Sequence, residues 1–197
     1  MEQNSAIVAV LAGGRGRRIG GGKAATLLAG RPLISYPLQA AREAGLEAVV
    51  VAKPTTTLPA LEERVVLEAE LPAHPLCGVI AALDHAAASA PGRSIVLLAC
   101  DMPFLTPALL AWLAGLDGAA MAELDGRPQP LLARCLPDDR AMLSSALAEQ
   151  DSLSSAIYAL EPRIISREEL SRFGPPERLC FGVNDEEDLL AAEGMLP

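Results

Sequence analysis

The stretch AIVAVLAGGRGRRIGGGK, residues 6–23, decides the fold. Its first six residues form an unbroken apolar run, half of it β-branched, which is the pattern of a strand buried on both faces of a parallel sheet. The continuation from Leu11 to Lys23 holds six glycines, three arginines and one lysine. Glycine permits positive φ and close backbone approach, so successive N–H groups can form a concave nest for an anion. Arginine and lysine add charge that does not titrate near neutral pH. A buried strand running into such a loop places anion binding at a strand's carboxyl end, where α/β sheets hold their ligands.

The loop opposes the charge of the chain around it. The protein has 197 residues and a formal net charge of -9, yet four of its 16 basic residues lie between Arg15 and Lys23. A small anion suits this arrangement better than nucleic acid, which needs a broad basic face that an acidic protein would lack. Neither standard phosphate cradle is present. GxGxxG starting at Gly14 would need glycine at position 19, where Ile19 stands. GxxxxGK[ST] ending at Gly22-Lys23 would need glycine at 17 and a hydroxyl residue at 24, where Arg17 and Ala24 stand. The loop therefore suits a nucleoside triphosphate held without either lock; the bland alternative is a solvated glycine loop.

Outward from this stretch the chain alternates strand-like and helix-like segments. The sequence predicts strands over 47–52, 65–69 and 94–99, and helices over 31–46 (with Pro37 as a kink or true start), 58–64 and 75–90. Thr106-Pro107 reads as an N-cap with proline at the first helical position. The rhythm then changes: GAAMAELDGRPQPLLARC predicts a hairpin around Asp125-Gly126, its second strand made an edge or a late starter by Pro128 and Pro130. Helices over 138–149 and 152–160, a strand near 162–166 and a last helix from Asp185, capped by Asn184, complete the pattern. The expectation is an α/β fold: a mostly parallel sheet with an antiparallel hairpin excursion in the second half. One domain over 1–197 is expected, with a nucleotide-binding half of about 1–105 and an acceptor-side half of about 106–197.

Composition narrows the chemistry. Hydrophobic residues make up 51% but aromatics only 3%, so a base-stacking platform is not expected. Cys77, Cys100, Cys135 and Cys180 show no CxxC spacing and only His74 and His85 could join them, which argues against a zinc cage. Free thiols point to a reducing compartment, and no run reaches a membrane span, so a cytoplasmic protein with no membrane and no nucleic-acid partner is expected. The serines lack a GxSxG elbow. Asp101, in LLACDMPF at the end of the 94–99 strand, could hold Mg²⁺, which takes one or two carboxylates plus substrate phosphates. It could equally cap the turn into the next helix.

Six segments taken together resemble the molybdenum cofactor guanylyltransferases: LAGGRGRRIGGGK, GRPLI, HPLCGVIAAL, LLACDMPFLTPALL, RPQPLLARC and GVNDEEDLLAAE, in the family's order and nearly end to end. The resemblance implies a three-layer, Rossmann-like nucleotidyltransferase fold. It implies that the terminal phosphate of molybdopterin attacks the α-phosphorus of GTP with Mg²⁺ (or Mn²⁺) assistance, releasing pyrophosphate. Leu11, Ala12, Gly13 and Gly14 would line the nucleotide, Arg18 and Lys23 would grip its phosphates, and Asp101 would bind the metal. Glu68 or Glu70, of which Glu70 is taken as the candidate, would accept from guanine N1 and N2. Gln129 and Asn184 would lie toward the pterin acceptor. Cofactor-delivering or molybdoenzyme proteins would be partners. The chain departs from the family where VVVAKP lacks the usual Asn-Arg, where Gly182 replaces an asparagine, and at His74, either a loop residue or a phosphate contact. The alternatives are transfer of another nucleotide or to another acceptor, such as cytidylyl or sugar-phosphate nucleotidyl transfer, and a non-catalytic nucleotide-binding module.

Overall fold

A computed structural model of the chain describes residues 6–13 and 22–196. The opening run is a strand, β1 (Ala6–Leu11), at the middle of a seven-stranded sheet. It lies parallel to β4 (Ala48–Ala52) on one side and β6 (Ser94–Ala99) on the other. Two two-residue strands, β2 (Leu27–Leu28) and β3 (Arg31–Pro32), form a separate hairpin between β1 and α1 (Ser35–Glu43). The expected 31–46 helix thus starts four residues late, because GRPLI makes this hairpin first; Pro37 sits buried in the first turn of α1, where its missing N–H costs nothing.

β5 (Arg64–Leu67) extends the parallel set at one edge. The helix expected over 58–64 is absent: the segment is irregular until β5 begins at Arg64, with Leu58 and Leu61 laid against the core. α2 (Pro75–Ser89) and α3 (Pro107–Ala114) flank β6, and Thr106 caps α3 by accepting from the Leu109 N–H (3.3 Å).

Beyond β6 the sheet continues with β8 (Arg127–Cys135), β7 (Ala120–Leu124) and β9 (Arg163–Ile165). β8 is antiparallel to both neighbours, and β9 returns parallel to β7. Asp125 and Gly126 turn the hairpin with φ of 51° and 75°, the left-handed pair that a two-residue turn requires. β8 is an interior strand rather than an edge. Only Leu132–Cys135 pair with β6, so Pro128 and Pro130 fall beyond that ladder, beside a register shift at Met121/Ala122.

The alternation of β1 and β6 divides the core into two layers. Val8, Val10, Val96 and Leu98 face α1 and α3, while Ile7, Ala9, Ile95 and Leu97 face α2, α4 (Arg140–Glu149) and α5 (Leu153–Tyr158). The result is a three-layer α/β arrangement. Two short helices the sequence did not predict, α6 (Arg167–Ser171) and α7 (Pro176–Leu179), follow β9; Ser166 and Glu169 form a capping box for α6.

The last helix, α8 (Glu186–Met195), is capped by Asp185 and not by Asn184. The Asp185 carboxylate accepts from the Asp188 N–H (3.0 Å), and three acidic residues in the first turn complement the helix dipole. Asn184 is thereby released for another partner. Asp185→Ala is expected to cost about 1 kcal/mol of stability, read as a lowered urea midpoint with an unchanged slope.

Candidate functional site

The site lies where four parallel strands end side by side. Hydrogen bonding continues one step past each tip: Ala12 N–H to Val51 O (2.8 Å), Cys100 N–H to Leu11 O (3.2 Å) and Glu68 N–H to Ala52 O (2.9 Å). These bonds fix the outgoing segments of β1, β4, β5 and β6 relative to one another. A pocket of about 390 Å³ opens above them, bordered by Gly13, Lys23, Lys53, Glu68, His74 and Asp101. That volume is within the range of small-ligand sites.

Lys23 begins a short 3-10 turn, Lys23–Ala25, that follows Gly22 at φ 124°. Its ammonium forms an ion pair with the Asp101 carboxylate and donates to Asn184 Oδ1 (2.9 Å). The two charged side chains are only 16% and 13% exposed, so each depends on the other for compensation. Asp101 also anchors the C-terminal segment, since its carbonyl accepts from the Val183 N–H (3.0 Å). Asn184 is held in turn by its own Nδ2, which donates to Gly182 O (2.9 Å), and by its N–H, which donates to Asp188 Oδ2 (2.7 Å). Residues 161 positions apart thus converge on one ammonium group.

Glu68 is 7% exposed, and its carboxylate is wedged between two glycines. A β-carbon on Gly13 would sit 1.7 Å from Glu68 Oε1, and one on Gly78 would sit 3.1 Å from Oε2. Burial lifts the Glu68 carboxyl above its ordinary range, while the Lys53 charge works in the opposite direction. Next to Asp101, burial and the adjoining carboxylate push the Cys100 thiol up to about 12, so it stays protonated and is no nucleophile.

The expected site residues divide clearly. Leu11, Gly13, Lys23 and Asp101 border the pocket and Ala12 and Asn184 adjoin it, whereas Gly14 and Arg18 lie outside the described residues. Glu70 does not face this pocket. It borders a neighbouring hollow of about 510 Å³ with Thr55, Thr56 and Thr57, and its carbonyl accepts from Lys53 Nζ (3.1 Å). Glu68, the other acidic candidate, occupies the wall instead. It directly follows β5, the last strand tip of the parallel set, and Glu70 is two residues farther out. Gln129 is also off the wall: its amide donates to the Arg127 carbonyl (3.3 Å), and β8 contributes Leu131 to the pocket. Thr55–Thr57 form a loop with no helix to cap; Thr56 Oγ1 accepts from the Lys53 N–H (3.1 Å).

His74 has a definite structural job. Its Nδ1 accepts from the Leu76 N–H (3.2 Å), capping α2 ahead of Pro75. The sequence signal was present, an acceptor side chain followed by proline at a helix start. Lys53 is the pocket residue that sequence reasoning passed over, although a cation placed directly after a buried strand was its signal. Among the described residues no cluster of three or more His, Cys, Asp or Glu could hold a metal ion. Asp101 on its own fits a cation whose remaining ligands come from phosphate oxygens and water. No helix among the described residues is long and apolar enough to cross a membrane.

Residues 8–163 match the family model of the MobA-like NTP transferase domain. A molybdenum cofactor guanylyltransferase of Cereibacter sphaeroides is 35% identical over 196 residues, covering 95% of each chain. One from Pseudomonas entomophila is 33% identical, covering 87% of this chain and 95% of its own. The crystal structure of molybdopterin-guanine dinucleotide biosynthesis protein A from Archaeoglobus fulgidus superposes with a TM-score of 0.77 at 28% identity, covering 96% and 97% of the two chains.

The burial of Glu68 has a measurable consequence. Its charged form is disfavoured in the folded state, a cost that is absent when the group is protonated and grows as pH rises through the raised folded value. Glu68→Gln is therefore expected to raise the melting temperature at pH 7, with the gain shrinking toward zero as pH falls into the ordinary glutamate range.

Proposed function

This chain belongs to the MobA-like NTP transferase family and is a nucleotidyltransferase, and from that premise we propose that it transfers GMP from GTP to the terminal phosphate of molybdopterin carrying molybdenum. The observation that carries the proposal is the convergence of Lys23, Asp101 and Asn184 beside a pocket whose far wall holds a buried carboxylate. The triphosphate is assigned to the Lys23 side. The guanine edge is assigned to Glu68 in place of Glu70, because a carboxylate accepts from N1–H and the 2-amino group together. Buried acceptors of this kind reject bases that present acceptors to them.

In the reaction a phosphate oxygen of molybdopterin forms a bond to the α-phosphorus of GTP while the bond from that phosphorus to the bridging oxygen breaks. Pyrophosphate leaves, and the product is the guanine dinucleotide. The nucleophile is already anionic, so no side-chain base is needed, and alignment and charge compensation carry the rate. Lys23 orients and neutralises phosphate oxygens. Asp101 is assigned to Mg²⁺, with Mn²⁺ as a substitute; when bound, the ion neutralises charge on the departing pyrophosphate. Asn184 keeps the ammonium of Lys23 aimed into the pocket. The four free cysteines suit the reducing cytoplasm, where we place the reaction.

Two measurements test this. With Mg²⁺ and at a hundredfold excess over Kd, GTP is expected to stabilise the protein by about 2.7 kcal/mol, and ATP, CTP and UTP by much less. Asp101→Asn is expected to slow metal-dependent pyrophosphate release from GTP and molybdopterin by on the order of 100-fold or more, read per folded molecule because Lys23 loses its compensating charge. Equal stabilisation by CTP would remove the guanine assignment, and an unchanged Asp101→Asn rate would remove the metal assignment.

A further inference from the structure

We propose that Lys53 is a specificity-determining residue: its ammonium and the Glu68 carboxylate take opposite ends of one guanine edge, Lys53 donating to O6 while Glu68 accepts from N1–H and the 2-amino group. The proposal rests on the assignment of GTP to this pocket.

Lys53 directly follows the tip of β4, and both it and Glu68 border the same pocket. Its stem passes over Gly13, with Cγ 3.6 Å from where a β-carbon there would sit. Nζ donates to the Glu70 carbonyl (3.1 Å), which fixes the side chain on the wall shared by the two hollows. That bond uses one of three ammonium hydrogens, and among the described residues no acceptor takes the other two. A carbonyl is neutral, so the charge of Lys53 is shared with the Glu68 carboxylate on the same pocket rather than spent on Glu70. Glu68 cannot turn freely, because Gly13 and Gly78 enclose its two oxygens. Lys53 and Glu68 influence each other electrostatically across the pocket wall.

The wall therefore offers a donor followed by two acceptors. Guanine presents the complement, with O6 as acceptor and N1–H and the 2-amino group as donors. Adenine would set its 6-amino group against the ammonium and its bare N1 against the carboxylate. Cytosine would do the same with its 4-amino group and N3. Uracil would match at two positions and oppose its O2 to the carboxylate. Each mismatch leaves a buried polar group without a partner, which is the strong form of discrimination. A lysine can only donate, so it commits the chain at the 6-position.

The test is calorimetric binding of GTP and 6-thio-GTP, with Mg²⁺, to the wild-type chain, Lys53→Met and Lys53→Gln. The thio analogue keeps N1–H and the 2-amino group and replaces O6 by sulfur, a poor acceptor. The wild type is expected to prefer GTP by about tenfold, the worth of a hydrogen bond to a charged group. Lys53→Met is expected to bind the two equally, and more weakly than the wild type binds GTP. Lys53→Gln, which keeps a neutral donor, is expected to fall between them, and it serves alone should Lys53→Met fail to fold. If either folded variant keeps the wild-type ratio, the ammonium is not at O6 and the proposal is overturned, with the GTP assignment untouched. If the wild type does not prefer GTP to ATP or CTP, the guanine assignment and this proposal fall together.

Discussion

The ion pair between Lys23 and Asp101 adds a charge interaction where three parts of the chain meet. Lys23 belongs to the segment leaving β1, Asp101 to the turn leaving β6, and Asn184, on the same ammonium, to the approach to α8. Two charges this poorly exposed must be compensated, because an isolated charge in such a place costs several kcal/mol. In the free protein they compensate each other. In the proposed reaction, a nucleotide with its cation would supply the same two charges in exchange, phosphate to the lysine and metal to the aspartate. A carboxylate with no metal-holding cluster around it among the described residues would suit a cation that arrives with the substrate.

The far wall of the pocket follows a different principle. Glu68 is held against its own preference: burial lifts its carboxyl, and two glycines leave it room but little freedom. A glutamine would suit the fold better, yet it could not accept twice from the guanine edge proposed for this wall. On that proposal the fold gives up stability there to keep a dry, oriented acceptor, a cost common at functional sites. The Lys53 charge offsets part of that cost, and on the proposal above its remaining donors would extend the reading to the 6-position.

Much of the fold was legible in the sequence because the controlling signals are local. β1 and β6 fall on their expected residues since unbroken apolar runs fit few alternatives, and Thr106-Pro107 and Asp125-Gly126 act through their own backbone geometry. What was missed depends on partners distant in sequence. The 58–64 segment has helical composition, but it packs Leu58 and Leu61 against the core on an irregular path. The interior place of β8 follows from its pairing with β6, which its prolines obscure locally. In the site, Lys23, Asp101 and the strand-tip location could be anticipated, because glycine-rich and acidic strand ends have a recognisable chemistry. The choice between Glu68 and Glu70 could not, since it turns on a two-residue step past a strand end. Nor could the pairing of Lys23 with Asn184 be read, as it required Asp185 to take the cap.

The most direct test of the account is a crystal structure of the complex with GTP and Mg²⁺. The account requires Lys23 to have left Asp101 for a phosphate oxygen, Asp101 to ligate the metal, and the guanine edge to lie on Glu68. A triphosphate bound elsewhere, with the Lys23–Asp101 pair still closed, would contradict it.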